Sequence, residues 1–391
     1  MDAIFIKKIQ LFIVCQFVNW QNFILSIFNK VLFSELKLAP KNILIYRIGN
    51  IGDIVCSVPA LIAIRRAYPK SKIILLTSPG DEGALGAKEL LTGVWHLDEL
   101  RIYFSKDIDS FNKKINFIRD LRKNHYDLFI QLPNNLANSR TLLRNLIFAK
   151  TIKAISTFGF KIRTVQLFKK TQVDYLFDKT EAESLLDILK ENGVPVGKAE
   201  FDFNVLSKQK DKVKNLLKEN LVKIKKGDII AAISPGGKRE ANQWPVERFA
   251  EVAKHLQDKY NAKIAIIGGE RDVEKANIIN KSLNGKNVLV LAGELDLLET
   301  LEFLRNCSFL ICGSTGPIHL AAAIGIKTIG LYNIRDVYGR WFPYGNGHKI
   351  LYHKFLNCDY KKEECVKKSI DMISVEEVKG AVDEIIKSLN L

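Results

Sequence analysis

The sequence predicts an α/β protein with two doubly wound parallel-sheet domains, and three observations support this. Apolar runs of strand length alternate with helical segments along most of the 391-residue chain. Such runs, when they end in small residues, are typical of buried parallel strands. The chain is also long enough for two domains, each with its own core.

Composition shifts divide the chain into five segments. We expect an apolar helix first, then a Rossmann-like domain, a basic linker or helix, a second Rossmann-like domain and a terminal helix. The boundaries are 1–37, 38–205, 206–226, 227–370 and 371–391.

The apolar leader carries no charged residue between Lys8 and Lys30, and its large side chains recur at helical spacing. That length could span a bilayer, but six Gln and Asn residues interrupt it and Trp20 lies mid-stretch. No small-residue cleavage site of a signal peptide follows. We therefore favour an amphipathic helix or helical hairpin that lies on a membrane or packs on the protein, over a spanning helix.

The first domain opens with a predicted strand at 41–46, which continues into Arg47-Ile-Gly-Asn-Ile-Gly-Asp53. We expect a helix from Ser57 to Tyr68 and a second strand at 72–77, which together form a right-handed βαβ unit. Asp53 follows the carboxyl end of the first strand, where a carboxylate is well placed for chemistry. Taken alone, these residues favour a helix-capping aspartate.

The second domain opens with a predicted strand at 228–234 and a Gly-rich turn, Pro235-Gly-Gly-Lys-Arg239. Backbone N–H groups of Gly236 and Gly237, with the cations of Lys238 and Arg239, could hold phosphates.

A second turn follows the predicted strand at 309–312. Ser314 or Thr315 is expected to supply an N-cap oxygen, while Gly316 and Pro317 suit the start of a short helix. The free N–H groups at that start are a natural diphosphate site, although an ordinary turn without a ligand fits equally well. The matching turn at 235–239 favours the ligand.

The net charge of +16 indicates acidic partners. Nucleic acid rests on charge alone, because no zinc-finger spacing or RNA-binding aromatic motif is present. The sequence has no HExxH and no carboxylate-rich metal loop, and its six cysteines are too few for a disulfide framework. The simplest location is a reducing, cytoplasmic compartment.

Taken together, four stretches resemble the heptosyltransferase family, the glycosyltransferase family 9 enzymes that build the inner core of lipopolysaccharide. Their order and spacing cover about 41–375, and the leader 1–37 lies outside the resemblance. The stretches are Arg47–Leu61, Ser234–Phe249, Ile266–Glu270 and Ser314–Ala321.

The resemblance implies a GT-B fold, in which two Rossmann-like domains face each other across a cleft. The N-terminal domain would bind the acceptor and the C-terminal domain the nucleotide-sugar, typically ADP-heptose, without a metal or other cofactor. Asp53 matches the aspartate proposed as the base of this inverting family. The implied acceptor-binding residues are Arg47, Asn50 and Gly52. The implied donor-binding residues are Lys238, Arg239, Gly236, Gly237, Glu270, Ser314, Thr315, Gly316, Pro317 and His319.

Two departures separate this chain from the family pattern. Many relatives carry Asp in place of Ser314, and some carry Lys or Arg just before the Trp-Pro, where this chain has Asn242 and Gln243. Ser314 cannot supply a negative charge.

The function expected from these features is transfer of a sugar, most simply heptose from ADP-heptose, to a lipid-linked acidic oligosaccharide at the inner membrane surface. The alternatives are another nucleotide-sugar or a non-catalytic nucleotide-sugar or membrane-binding protein.

Overall fold

The computed structural model describes residues 3–80, 85–134, 137–163, 179–220, 227–353 and 362–389. The predicted segments 1–37, 206–226 and 371–391 each include residues outside these ranges. The chain forms two compact units. The first comprises 1–202 together with 337–340, and the second comprises 203–336 together with 341–391.

The first unit contains a five-stranded parallel sheet in the order β3-β2-β1-β4-β5. Its strands are β1 (Asn42–Tyr46), β2 (Lys72–Thr77), β3 (Glu99–Ile102), β4 (Leu128–Gln131) and β5 (Ser156–Phe158). Every residue of β4 is buried, as is every residue of β1 after the first. Helices on both faces of a parallel sheet produce this pattern.

The helices of the first unit follow the predicted alternation. They are α1 (Ala3–Leu32), α2 (Ile51–Ala67), α3 (Ala87–Leu91), α4 (Phe111–Arg122), α5 (Ser139–Thr151) and α6 (Glu181–Glu191).

One predicted helix start is wrong. The helix expected from Ser57 begins at Ile51, because Asp53 accepts the backbone N–H of Asn50 and so caps an earlier turn. Pro59 then lies inside the helix, where it removes one backbone donor.

The second unit contains a six-stranded parallel sheet in the order β11-β10-β9-β6-β7-β8. Its strands are β6 (Ile230–Ser234), β7 (Lys263–Ile266), β8 (Val288–Val290), β9 (Phe309–Gly313), β10 (Lys327–Tyr332) and β11 (Lys349–Tyr352). Both sheets therefore confirm the doubly wound α/β prediction.

The helices of the second unit cover its sheet. They are α7 (Ser207–Asn220), α8 (Val246–Tyr260), α9 (Val273–Ser282), α10 (Leu297–Leu304), α11 (Gly316–Ala323), α12 (Glu363–Asp371) and α13 (Val375–Ser388). The basic helix α7 belongs to this unit, where Gln209 Nε2 donates to Asp296 and Lys212 pairs with Glu299. Apolar residues of α13 complete the core on the same sheet.

Within the described part of the chain, no helix combines the length and the apolar character needed to cross a bilayer.

Candidate functional site

Each sheet reverses its strand order at one point. In the first unit this point lies between β1 and β4, and in the second unit between β6 and β9. Ligands of doubly wound proteins bind outside the carboxyl ends of the strands at such points. The loops that follow these four strands are therefore the places where functional residues are expected.

A buried ion network joins the two loops of the first unit. Arg47, which directly follows β1, is fully buried, and its Nη1 donates to the carbonyl of Pro133 after β4 at 2.8 Å. Its Nη2 lies 3.0 Å from Glu181 Oε1, at the start of α6. Arg163 Nη1 reaches the same carboxylate oxygen at 2.7 Å. Buried charges persist only when they are paired in this way.

Asp53 lies at the edge of this network. Its Oδ1 is 3.3 Å from Arg47 Nη2, its Oδ2 accepts the Asn50 N–H at 3.2 Å, and 17% of its side chain is exposed. Burial raises the pKa of Asp53, the charge of Arg47 opposes that rise, and Glu181 adds to it. The carboxylate thus both caps α2 and remains partly open to a ligand.

The loop before Asp53 requires glycine at position 49. A side chain at Gly49 would place its Cβ 2.1 Å from the Cβ of Asp53, so only glycine allows the carboxylate to fold back over the loop. Asn50 is exposed and Gly52 is partly exposed. Arg47, predicted to bind the acceptor, is fully buried and donates to the carbonyl of Pro133.

Glu181 is the carboxylate that both arginines of this network contact. Burial acts to raise its pKa, but Arg163 and Arg47 outweigh that effect and hold the pKa below its usual range. The N–H of Glu181 donates to the carbonyl of Arg340, in the short segment 337–340 that belongs to the first unit. The ionisation of Asp53 is therefore influenced by a residue whose position depends on a segment far away in sequence.

In the second unit, the Gly-rich turn after β6 packs closely against the side chains of Asp272 and Gln243. A Cβ at Gly236 would lie 1.9 Å from Asp272 Oδ1, and Gln243 Nε2 donates to the carbonyl of Gly237 at 2.6 Å. Lys238 and Arg239 are both exposed. Arg239 Nη1 lies 3.9 Å from Glu363 Oε1. The cations of the turn are thus open to an anionic ligand.

The turn after β9 lies beside the turn after β6, since a Cβ at Gly237 would be 3.5 Å from Thr315 Cγ2. The predicted side-chain cap is wrong. Thr315 occupies the N-cap position of α11, but its hydroxyl donates to the carbonyl of Gly313 at 3.4 Å and caps nothing. Pro317 lies in the first helical turn as predicted. The Thr315 side chain therefore caps no backbone donor of this turn, although the Ile318 N–H donates to the carbonyl of Thr315 at 3.3 Å.

The remaining predicted donor residues differ in exposure. His319 is buried, and its ring lies against Trp341 with 5.9 Å between the centroids. Ser314 and Gly316 are partly exposed. Glu270 is exposed in a short 3₁₀ helix after β7. A Cβ added at Gly293 would lie 3.6 Å from the Cα of Glu270.

Ser314 has a carboxyl neighbour that the sequence did not reveal. Asp336, in the loop after β10, lies close enough for the Ser314 side chain to lower its pKa. Asp336 Oδ2 is buried and has no hydrogen-bond partner within the described residues. Burial raises the pKa of Asp336 to about 7, although Ser314, the Asn333 backbone and Arg335 oppose that rise.

Sequence reasoning missed four residues at these loops: Arg163, Glu181, Asp272 and Asp336. Glu181 lies 134 residues from Arg47, which it contacts, and Asp336 lies 22 residues from Ser314. The one available signal was a carboxylate, Glu181, at the start of a helical segment, where it usually serves as a solvated helix-end charge.

Comparison with known families decides the assignment. A family model described as glycosyltransferase family 9 (heptosyltransferase) matches residues 115–370. This chain belongs to glycosyltransferase family 9. Among its relatives, the lipopolysaccharide core heptosyltransferase OpsX of Haemophilus influenzae is 23% identical over 333 residues, which cover 82% of this chain and 86% of the relative.

Solved structures show the same fold. A glycosyl transferase family 9 protein of Veillonella parvula superposes with a TM-score of 0.71 at 21% identity, covering 91% of this chain and all of that one. The ADP-heptose heptosyltransferase II of Escherichia coli gives a TM-score of 0.62 at 17% identity, covering 90% of this chain and all of that one. Family 9 membership and these neighbours confirm the predicted GT-B-like fold.

A pair of substitutions tests how the network sets the ionisation of Asp53. Glu181→Gln removes a negative charge that raises the pKa of Asp53, whereas Arg163→Gln removes a positive charge that lowers it. The acid limb of the pH profile of kcat/KM should move down for Glu181→Gln and up for Arg163→Gln, each on the order of one pH unit. Simple destabilisation cannot produce opposite shifts, so two shifts in one direction would contradict the electrostatic account.

A second prediction concerns the stability cost of Asp336. Its pKa is raised from an ordinary value near 4 to about 7, so ionisation of this residue destabilises the folded state as pH rises through that window. Asp336→Asn should therefore raise the melting temperature at pH 8, and the gain should shrink as pH falls towards 4. Asp258→Asn, at an exposed carboxylate of α8, is the control. A gain that is independent of pH would contradict the assignment.

Proposed function

We propose that this family 9 glycosyltransferase transfers heptose from ADP-heptose to a lipid-linked acidic acceptor of the lipopolysaccharide core, with inversion at the anomeric carbon. The observation that carries the proposal is the placement of Asp53, a partly exposed carboxylate with a raised pKa at the strand-order reversal of the first unit. The relatives support the donor and the pathway, since one structure is described as Escherichia coli heptosyltransferase WaaC with ADP.

In this mechanism Asp53 takes the proton of an acceptor hydroxyl, and that oxygen attacks the anomeric carbon in line with the leaving group. The new bond forms as the bond from the anomeric carbon to the diphosphate breaks, and ADP departs with the electron pair. The raised pKa of Asp53 suits a general base, because a stronger base takes the proton more readily. Burial of Arg47 and Glu181 fixes the carboxylate before the acceptor arrives.

The departing diphosphate requires positive potential. We assign this role to Lys238, Arg239 and the N–H groups at the start of α11, which lie on the two neighbouring turns of the second unit. We assign Glu270 to a ribose hydroxyl and Asp336 to the sugar, in place of the Asp that many relatives carry at Ser314. The scheme requires no metal and no cofactor beyond the nucleotide-sugar.

The donor site is tested by thermal shift with ADP, UDP and GDP. ADP should stabilise the wild type and Asp53→Asn equally, because Asp53 acts on the acceptor. The Lys238→Ala/Arg239→Ala variant should bind ADP about tenfold or more weakly, since each lost charge-assisted hydrogen bond costs about 1.5–3 kcal/mol. Lys254→Ala, at an exposed lysine of α8, should bind ADP normally.

Each nucleotide result has a distinct meaning. Preference for UDP or GDP would retain the transferase and reject the heptose donor. No shift with any nucleotide would favour a non-catalytic member of the family.

The base is tested by ADP release in the presence of ADP-heptose and a lipopolysaccharide core acceptor. Asp53→Asn should lower kcat about 100-fold or more, because it keeps the shape of the side chain but cannot take a proton. Near-normal turnover in a variant that still binds ADP would reject Asp53 as the base.

A further inference from the structure

The N-terminal helix α1 packs on the rest of the first unit through both polar and apolar side chains. Asn22 bonds both the N–H and the carbonyl of Ile162, at 2.7 and 3.2 Å. Asn29 Nδ2 donates to the carbonyl of Thr157 at 3.2 Å. Val18 and Leu25 are buried in the core of the unit on the same side of the helix. The side of α1 that packs on the protein therefore carries Asn22 and Asn29 together with these two apolar residues.

The opposite side of α1 is apolar and exposed. Its nine large side chains are 43 to 77% exposed and include four phenylalanines and a tryptophan. We call this surface the α1 face. Its residues are Ile9, Phe12, Ile13, Phe17, Trp20, Phe23, Ile27, Phe28 and Val31.

The α1 face is additional to the apolar residues that α1 contributes to the core. It extends roughly 33 Å at 1.5 Å per residue, and it is continuous, unlike the single surface hydrophobics that are normal in proteins. Exposing it to water costs free energy that burial of the same residues would avoid. The α1 face therefore indicates a surface that is buried against something other than the protein's own core.

Positive charge lies beside the α1 face. Gln21 Nε2 donates to Ser139 Oγ, and Lys150 donates to the carbonyl of Leu32. The two bonds are separated by 11 residues on each helix, so α5 runs alongside α1 in the same direction. Neither helix contains Asp or Glu. The exposed residues of α5 are Arg140, Arg144, Ile147 and Lys150.

We propose that the α1 face and the cations of α5 dock the protein on an anionic lipid bilayer, with α1 lying in the plane of the interface. Aromatic and branched apolar side chains bordered by Arg and Lys are the composition of interfacial helices. A second copy of the chain fits less well, because a two-fold interface would bring the cations of α5 close to their own copies. The inference goes beyond the transfer reaction and does not depend on the identity of the donor.

The test is co-sedimentation of the full chain with vesicles of phosphatidylcholine alone or mixed with phosphatidylglycerol. The wild type should bind the anionic vesicles, and added salt should weaken that binding. Phe12→Glu/Phe23→Glu should reduce partitioning about tenfold or more, because each phenylalanine contributes about 1.5–3 kcal/mol on burial.

Phe111→Glu is the matched control, since Phe111 is 77% exposed on α4, outside the α1 face. It should bind vesicles as the wild type does. Circular dichroism melts should be the same for both variants, which separates lost docking from lost folding.

Three outcomes would overturn the proposal. They are no vesicle binding by the folded wild type, equal losses in the α1-face variant and the Phe111→Glu control, and a dimer by light scattering that Phe12→Glu/Phe23→Glu converts to a monomer. The last result would assign the α1 face to a second copy. None of these results bears on ADP binding or transfer, so failure here is distinct from failure of the proposed reaction.

Discussion

The buried guanidinium of Arg47 is the constraint on which the first unit's site depends. A charge without solvent must be paired, and Arg47 achieves this by bonding the loop after β4, the start of α6 and Asp53 together. Arg163 also pairs with Glu181, so two guanidinium groups face the two carboxylates of Glu181 and Asp53. The network therefore fixes the position of Asp53 and also sets how readily it ionises, so that structure and chemistry depend on the same contacts.

The second unit has the same doubly wound topology, but its candidate site is built differently. Its strand-order reversal brings two small-residue turns together, and the N-cap side chain of α11 does not use the helix's donors. Exposed Lys238 and Arg239 add full charges to these partial ones. A leaving diphosphate needs this combination of fixed backbone donors and cations. Asp336, whose Oδ2 has no hydrogen-bond partner among the described residues, adds a buried carboxyl group near Ser314.

Much of the fold was predictable because strand length, helix spacing and Gly-rich turns are local signals. The doubly wound sheets follow from them, and so do the positions of Asp53 and the turn at 235–239. The helix start at Ser57 was misplaced because Asp53 caps an earlier turn. The predicted side-chain cap at Thr315 was wrong because its hydroxyl donates to the carbonyl of Gly313 instead. Glu181 and Asp336 were missed because only folding brings them to the motif residues.

The sequence by itself determined the alternation of strands and helices, the glycine-containing turns after β6 and β9, and the family. Each of these depends on residues close together in the chain. Tertiary structure decided that Arg47 is buried and paired, that Glu181 lies near Asp53 and raises its pKa, and that the carboxyl group of Asp336 lies near Ser314. It also decided which side of α1 faces outward. Helical periodicity shows only that two sides exist, whereas hydrogen bonds from Asn22 and Asn29 to distant backbone and the burial of Val18 and Leu25 determine which side packs.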